Sequence, residues 1–124
     1  MGKFLSTLSV ELVDADEQGK WKVTKPLVFF SVVAKTTLVV PEGFVTDFAS
    51  VPRIPVLFDL LGDQGHMAAT LHDWLYTAPH PLPTRALADE VLKEALIAQG
   101  VDDMEATLMF LGARLGGDSF YDKE

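Results

Sequence analysis

Apolar and polar residues alternate along the N-terminal part of the chain in the way that is typical of β-strands. The alternation runs over residues 5–13 and resumes over residues 21–24, after a polar turn at residues 14–20, so the two stretches predict a β-hairpin. Residues 27–33 are almost all apolar, which indicates a central strand that is covered on both faces. Residues 37–40 predict a further strand, and a turn at residues 41–43 leads into a last short strand at residues 44–47.

The period of the pattern changes after Asp47. A loop with several prolines and glycines occupies residues 48–65, and the apolar positions then recur at helical spacing. Helices are predicted over residues 66–77, 85–99 and 103–115. Thr84 and Asp102 are suitable N-caps for the second and third helices, and Gly100 ends the second helix.

Strands that come first and helices that follow favour the α+β class. The 124 residues suit one domain with one core, and we expect a small N-terminal antiparallel sheet packed against three C-terminal helices. The single domain, 1–124, then divides into a β-rich part (1–47), a loop (48–65), a helical part (66–117) and a tail (118–124).

Charge and composition restrict the classes of function. The net charge of −8 argues against nucleic acid as a direct partner, because phosphate binding needs clustered Lys and Arg, and it is compatible with a bound cation. The chain has no cysteine, which excludes disulfides and thiolate metal sites. The N-terminus lacks a signal-peptide core, and no apolar run is long enough for a transmembrane segment.

The strongest chemical signal is His72 followed by Asp73, in a helix that is otherwise apolar. An ionised carboxylate in apolar surroundings is costly unless it is paired or binds a cation. The two residues therefore either have polar partners in the core or belong to a reactive site.

Asp89 is the predicted partner of His72. It borders the apolar stripe of the second helix, and the short connection predicts an antiparallel helix pair that brings His72 and Asp89 within hydrogen-bond reach. An Asp that holds one ring nitrogen leaves the other as a general base, whereas the structural alternative is a hydrogen bond that locks two helices. Tyr76, one turn after His72, either bonds Asp89 or fills the core.

Asp73 points about 100° away from His72 around the helix and is either an exposed carboxylate or a metal ligand. Asp47, at the end of the last predicted strand, is a second candidate ligand, and carboxylates with loop carbonyls suit Ca²⁺ or Mg²⁺. Ser50 and Arg53 on the next loop are candidate binding residues. Turn capping explains Ser50 equally well, and Arg53 could instead form an ion pair with a buried carboxylate.

Three segments of the chain together resemble a known group of proteins. They are Gly43–Arg53, the stretch from Ala68-Ala69 to Tyr76 with His72-Asp73-Trp74-Leu75-Tyr76, and Arg85–Asp89 with the Ala-rich helix that follows. This combination resembles a family of small uncharacterised proteins found mainly in tailed bacteriophages and prophages. The resemblance covers most of the chain and implies a phage origin, with the host cytoplasm or the virion as location, but no mechanism.

A second, local resemblance concerns His72-Asp73-x-x-Tyr76 and the later Asp89. This pattern is similar to the active-site helices of secreted calcium-dependent phospholipases. The resemblance implies that His72 is the general base, that Asp73 ligates calcium, that Asp89 orients the His and that Tyr76 joins the hydrogen-bond network. The chain departs from that family because it lacks the cysteines, has no glycine-rich calcium loop and carries an N-terminal sheet.

Two hypotheses follow. The first is a metal-assisted hydrolase acting on lipid or cell-envelope material, with Ca²⁺ or Mg²⁺ as cofactor. The second is a non-catalytic virion protein of the tail or baseplate, in which the same residues join the helices and other phage structural proteins are the partners. They differ in one observable, since a hydrolase needs His72 at the floor of an open cleft and a structural cluster would bury it.

Overall fold

A computed structural model describes residues 2–14, 20–46 and 64–123. Within these ranges the strands are β1 (Lys3–Phe4), β2 (Val10–Asp14), β3 (Lys20–Val23), β4 (Leu27–Ser31), β5 (Thr36–Val40) and β6 (Val45–Thr46). They form two three-stranded sheets, in the orders β1-β4-β5 and β2-β3-β6, and every pair is antiparallel. The predicted single sheet is thus two. The strand β4 is central in its sheet as predicted, but it ends at Ser31 and is not covered on both faces, since Phe30 is 42% exposed.

The division into two sheets begins in the stretch that the alternation predicted as one strand. The amide of Leu5 donates to the carbonyl of Val28 in the first sheet, and the carbonyl of Ser9 accepts from Thr24 beside the second sheet, both at 2.8 Å. The chain therefore crosses between the sheets over residues 5–9. Leu12 lies in this stretch and is 46% exposed; alternation separates the two faces of a strand but does not determine which face is covered.

The helices are α1 (Gln64–Leu75), α2 (Arg85–Ala98) and α3 (Asp103–Gly116), close to the predicted ranges. Both predicted N-caps are confirmed: the Thr84 hydroxyl accepts from the amide of Leu87, and the Asp102 carboxylate accepts from that of Met104. A 3₁₀ helix, Asp118–Phe120, follows α3 within the stretch that was predicted to be a tail. None of the described helices is long and apolar enough to cross a membrane.

The helix α2 is central to the packing. It lies between α1 and α3 and also contacts β1 and β4 of the first sheet. Its predicted apolar stripe is fully buried and consists of Ala88, Val91, Leu92, Ala95 and Leu96. The stripe belongs to one core with the inward-facing side chains of the first sheet and of α1, which are Leu27, Phe29, Leu38, Val40, Leu71 and Leu75. The fold is therefore α+β, with the helices in the C-terminal part, and α2 carries Asp89 into the middle of it.

Candidate functional site

A group of polar side chains lies where the three helices meet, and we call it the Asp89 cluster. Its members are His72 near the end of α1, Tyr76 just after it, Arg85 and Asp89 in α2, and Arg114 near the end of α3. The antiparallel arrangement of α1 and α2 places the end of the first helix beside the start of the second. The predicted approach of His72 to Asp89 is therefore confirmed.

The carboxylate of Asp89 accepts four hydrogen bonds. Its Oδ1 lies 2.7 Å from Nε2 of His72 and 2.5 Å from the hydroxyl oxygen of Tyr76. Its Oδ2 lies 2.9 Å from a guanidinium nitrogen of Arg114 and 3.4 Å from one of Arg85. The acceptor sites of this carboxylate are therefore filled. Two of the four groups that donate to it, Arg85 and Arg114, are cations.

These contacts keep Asp89 ionised. Burial by itself raises the pKa of the carboxyl, but the hydrogen bonds from His72 and Tyr76 and the bond from Arg114 outweigh it, so the pKa lies below its usual value. Burial and the neighbouring Asp89 charge raise the pKa of Tyr76, which therefore remains a hydrogen-bond donor. An ionised carboxylate can only accept, so Nε2 of His72 carries the proton, and in the neutral ring Nδ1 holds the lone pair.

Arg85 also connects the cluster to the backbone of α3. Its guanidinium donates to the carbonyl of Ala113 at 3.0 Å and to that of Arg114 at 3.3 Å, and it lies 3.1 Å from the hydroxyl of Tyr76. The last carbonyls of a helix have no partner within the helix and carry partial negative charge. Arg85 therefore caps the end of α3 and also helps to neutralise Asp89. One network thus joins the end of α1, the start of α2 and the end of α3.

The segment after α3 packs on the same region. The ring of Tyr121 meets that of Tyr76 edge to face at 5.0 Å and stacks on His80 at 4.0 Å. The amide of Asp122 donates to the carbonyl of Tyr76 at 2.9 Å, and its carboxylate accepts from the amide of Ala78 at 3.1 Å. The C-terminal segment thus covers Tyr76, and His80 is half-buried.

Asp73 lies beside the cluster and is half-buried, rather than freely exposed on the helix. Its Oδ2 accepts a hydrogen bond of 2.6 Å from the hydroxyl of Thr46, the last residue of β6. The other members of the predicted binding site, Asp47, Ser50 and Arg53, lie outside the described residues. Among the residues that are described, no three His, Asp or Glu side chains form a group that could hold a metal ion.

His72 and Asp89 both have fully buried side chains, with 0% exposure. Arg85 and Arg114 are 17% and 34% exposed, so the cationic side of the cluster reaches solvent. Sequence reasoning did not identify these two arginines as site residues. The i, i+4 spacing from Arg85 to Asp89 is a local signal that favours their pairing, whereas nothing in the sequence links Arg114 to Asp89 across 25 positions.

Comparison with known proteins places the chain in a family. Neither a curated protein nor a solved structure matches it. A family model described as "Protein of unknown function (DUF1353)" matches residues 21–113, which include most of β3, all of β4 to β6 and nearly all of the three helices. Since the match covers well over half of the 124 residues, the chain belongs to the DUF1353 family of proteins of unknown function.

Proposed function

We propose that the chain is a hydrolase in which His72 is the general base and Asp89 orients it. The observation that carries this proposal is the 2.7 Å hydrogen bond between Nε2 of His72 and an ionised, fully buried carboxylate. Asp89 bonds Nε2, so Nδ1 would take the proton from an attacking water, and that water must first replace the other contact that His72 makes in the folded chain. The carboxylate stabilises the imidazolium that this transfer creates, and Tyr76 holds the carboxylate in place.

A divalent cation, Ca²⁺ or Mg²⁺, completes the proposal, with Asp73 and Asp47 as its carboxylate ligands. The hydrogen bond from Thr46 to Asp73 supports this assignment, because it brings the residue before Asp47 against the carboxylate of Asp73. A cation bound there would polarise the scissile group of the substrate. Asp73 is the one proposed ligand within the described residues, so binding of the cation is tested separately from hydrolysis. Ca²⁺ or Mg²⁺ must raise the melting temperature of the wild-type chain, and the rise must be smaller in D73N.

The proposed substrates are phospholipids or cell-envelope polymers, in keeping with the resemblance to phage proteins. A hydrolase needs His72 at the floor of an open cleft, and the side chain is instead fully buried, which favours the structural alternative. The proposed reaction therefore requires an opening movement that admits a substrate to Nδ1. Catalysis would then take place in the host cytoplasm or at the virion.

The test measures hydrolysis of phospholipid vesicles and of purified cell-wall material by the wild-type chain and by H72Q. The Gln amide can still donate to Asp89 but cannot act as a base, so we expect activity to fall by about 10²–10⁴-fold with a small change in melting temperature. The matched control is S31A, since Ser31 is also fully buried and bonds Glu94 in a separate network. S31A should lose stability and keep its activity per folded molecule, and an active H72Q would exclude His72 as the base.

A second candidate function is a non-catalytic role in a phage tail or baseplate. The observation that favours it is the complete burial of a carboxylate that accepts hydrogen bonds from three helical segments, as expected for a cluster that stabilises the fold. On this alternative the wild-type chain hydrolyses none of the substrates. Co-purification with other structural proteins of the same phage particle would then support it.

A further inference from the structure

We propose that the outward face of α3 binds a second copy of this chain, and that the two copies of α3 pack antiparallel about a twofold axis. The starting observation is that α3 is apolar on two opposite faces. Its inner face, with Ala106, Met109 and Ala113, is buried in the core. A helix that is apolar on both faces is typical of a helix that is covered on both.

Four apolar side chains make up the outer face, and we call them the α3 seam. Met104 is 71% exposed, Leu108 44%, Leu111 46% and Leu115 88%. Their spacing of four, three and four residues is the alternation by which one helix packs along another. At 100° per residue all four fall within about 60° of one another around the helix, so they form one continuous strip.

The spacing of the seam favours a second copy as the occupant. Four, three and four reads the same in both directions along the helix, so the seam is complementary to itself when two copies run antiparallel. Leu108 then packs against the partner's Leu111, and Met104 packs against the partner's Leu115. A twofold axis between positions 108 and 111 produces each of these contacts twice.

The charges beside the seam favour the antiparallel direction. Asp103 and Arg114 lie on one flank, about 20° apart around the helix, whereas Glu105 lies on the other flank with Gly112 and Gly116. In an antiparallel pair with a twofold axis perpendicular to both helices, the same flank of each helix lies on the same side of the interface. Asp103 therefore lies beside the partner's Arg114, and Glu105 faces the partner's glycines. In a parallel pair, Asp103 would meet the partner's Glu105 and the like charges would repel.

The size of the seam sets the expected affinity. It spans eleven steps of the helix, about 16 Å, which is shorter than a contact of standard area. We therefore expect a dimer that forms at high protein concentration and dissociates on dilution. This inference does not depend on the proposed function, because the seam lies on the face of α3 opposite to its buried residues.

The experiment is sedimentation velocity of the full chain, from low micromolar to near-millimolar concentration. We expect the mass to rise from 13.6 kDa towards twice that value, and L108E to raise the dissociation constant by at least about tenfold. The control is V39E, since Val39 is 43% exposed on the first sheet and should leave the dimer unchanged. Circular dichroism establishes that both variants are folded.

The direction of packing is tested by two matched variants, D103R and E105R, which make the same charge change in the same turn. D103R should weaken the dimer, because the new arginine of each copy would lie beside the partner's Arg114. E105R should have little effect, because position 105 faces the partner's glycines. A dimer strengthened by D103R would indicate parallel packing and overturn the proposal. So would a wild-type chain that stays monomeric at every concentration, a dimer unaffected by L108E, or binding to phosphatidylcholine vesicles without self-association.

Discussion

Replacing Asp89 by Asn tests whether the charge of this carboxylate holds the three helices together. The Asn side chain has nearly the same shape, and its oxygen can still accept from His72 and Tyr76. Its amide nitrogen replaces Oδ2, which lies 2.9 Å from Arg114 and 3.4 Å from Arg85. Two accepting contacts with cations thus become contacts between donors, and the cationic charge near the core loses its counterion.

The magnitude follows from the burial of the partners. Removing one member of a fully buried ion pair costs about 3–5 kcal/mol, because the remaining charge is left unpaired. Arg85 and Arg114 are 17% and 34% exposed, so water partly solvates them and the cost is reduced. We expect D89N to lower the free energy of unfolding by about 2–4 kcal/mol, and the melting temperature by roughly 4 °C for each kcal/mol.

The effect of D89N should depend on pH in a defined direction. The pKa of Asp89 is lower in the folded chain than in the unfolded chain, so its contribution to stability is fully present above the unfolded pKa, about 3.9. That contribution is lost as the pH falls through the folded pKa. The difference in unfolding free energy between wild type and D89N should therefore be largest near neutral pH and shrink below pH 4.

Urea unfolding followed by circular dichroism measures both quantities. The control is D118N, because Asp118 is 94% exposed and lies 4.0 Å from Arg85, so removing its charge should leave the unfolding curve unchanged. If D89N unfolds within about 0.5 kcal/mol of wild type, or if the difference stays constant down to acid pH, the argument that the cluster is held by an ionised Asp89 is refuted.

Two further predictions concern packing and the turn between β4 and β5. In G117A the new Cβ would lie 2.6 Å from the hydroxyl oxygen of Tyr76 and would also overlap the backbone carbonyl oxygen of Ala113. We therefore expect G117A to lower the free energy of unfolding by about 1–3 kcal/mol in a thermal melt, whereas G116A, with nothing within 4 Å of the new Cβ, should be harmless. Equal melting temperatures for the two would contradict this. E94A should lower the unfolding free energy by about 1–3 kcal/mol, because Glu94 accepts from two backbone amides of the turn and from a buried serine hydroxyl. E90A, one helical turn earlier and exposed, is its control, and an equal effect of both would show that the turn does not depend on this carboxylate.

The features that could be predicted from the sequence depend on residues that are close along the chain. Thr84 and Asp102 act as N-caps because the groups they bind lie within three residues. The position of Asp89 at the edge of the α2 stripe follows from helical periodicity, and its approach to His72 follows from a connection too short for anything but an antiparallel pair.

The rest could not be predicted because it depends on how separate elements pack. Arg114 reaches Asp89 from the last turn of α3, and periodicity does not determine how that helix is rotated against α2. The division into two sheets depends on the partners of the strands rather than on their alternation, and the exposure of Leu12 follows from that division. The metal prediction for Asp73 remains open, since Asp47 lies outside the described residues.

By itself the sequence determined the class of fold, the bounds of the helices to within two residues, and the partnership between His72 and Asp89. Local hydrogen bonds and helical periodicity are sufficient for each of these. The tertiary structure alone decided that Asp89 is fully buried and kept ionised by hydrogen bonds from His72, Tyr76 and Arg114, and that α3 presents a second apolar face. The physical reason is that burial and charge pairing are properties of the space between elements, which no single segment encodes.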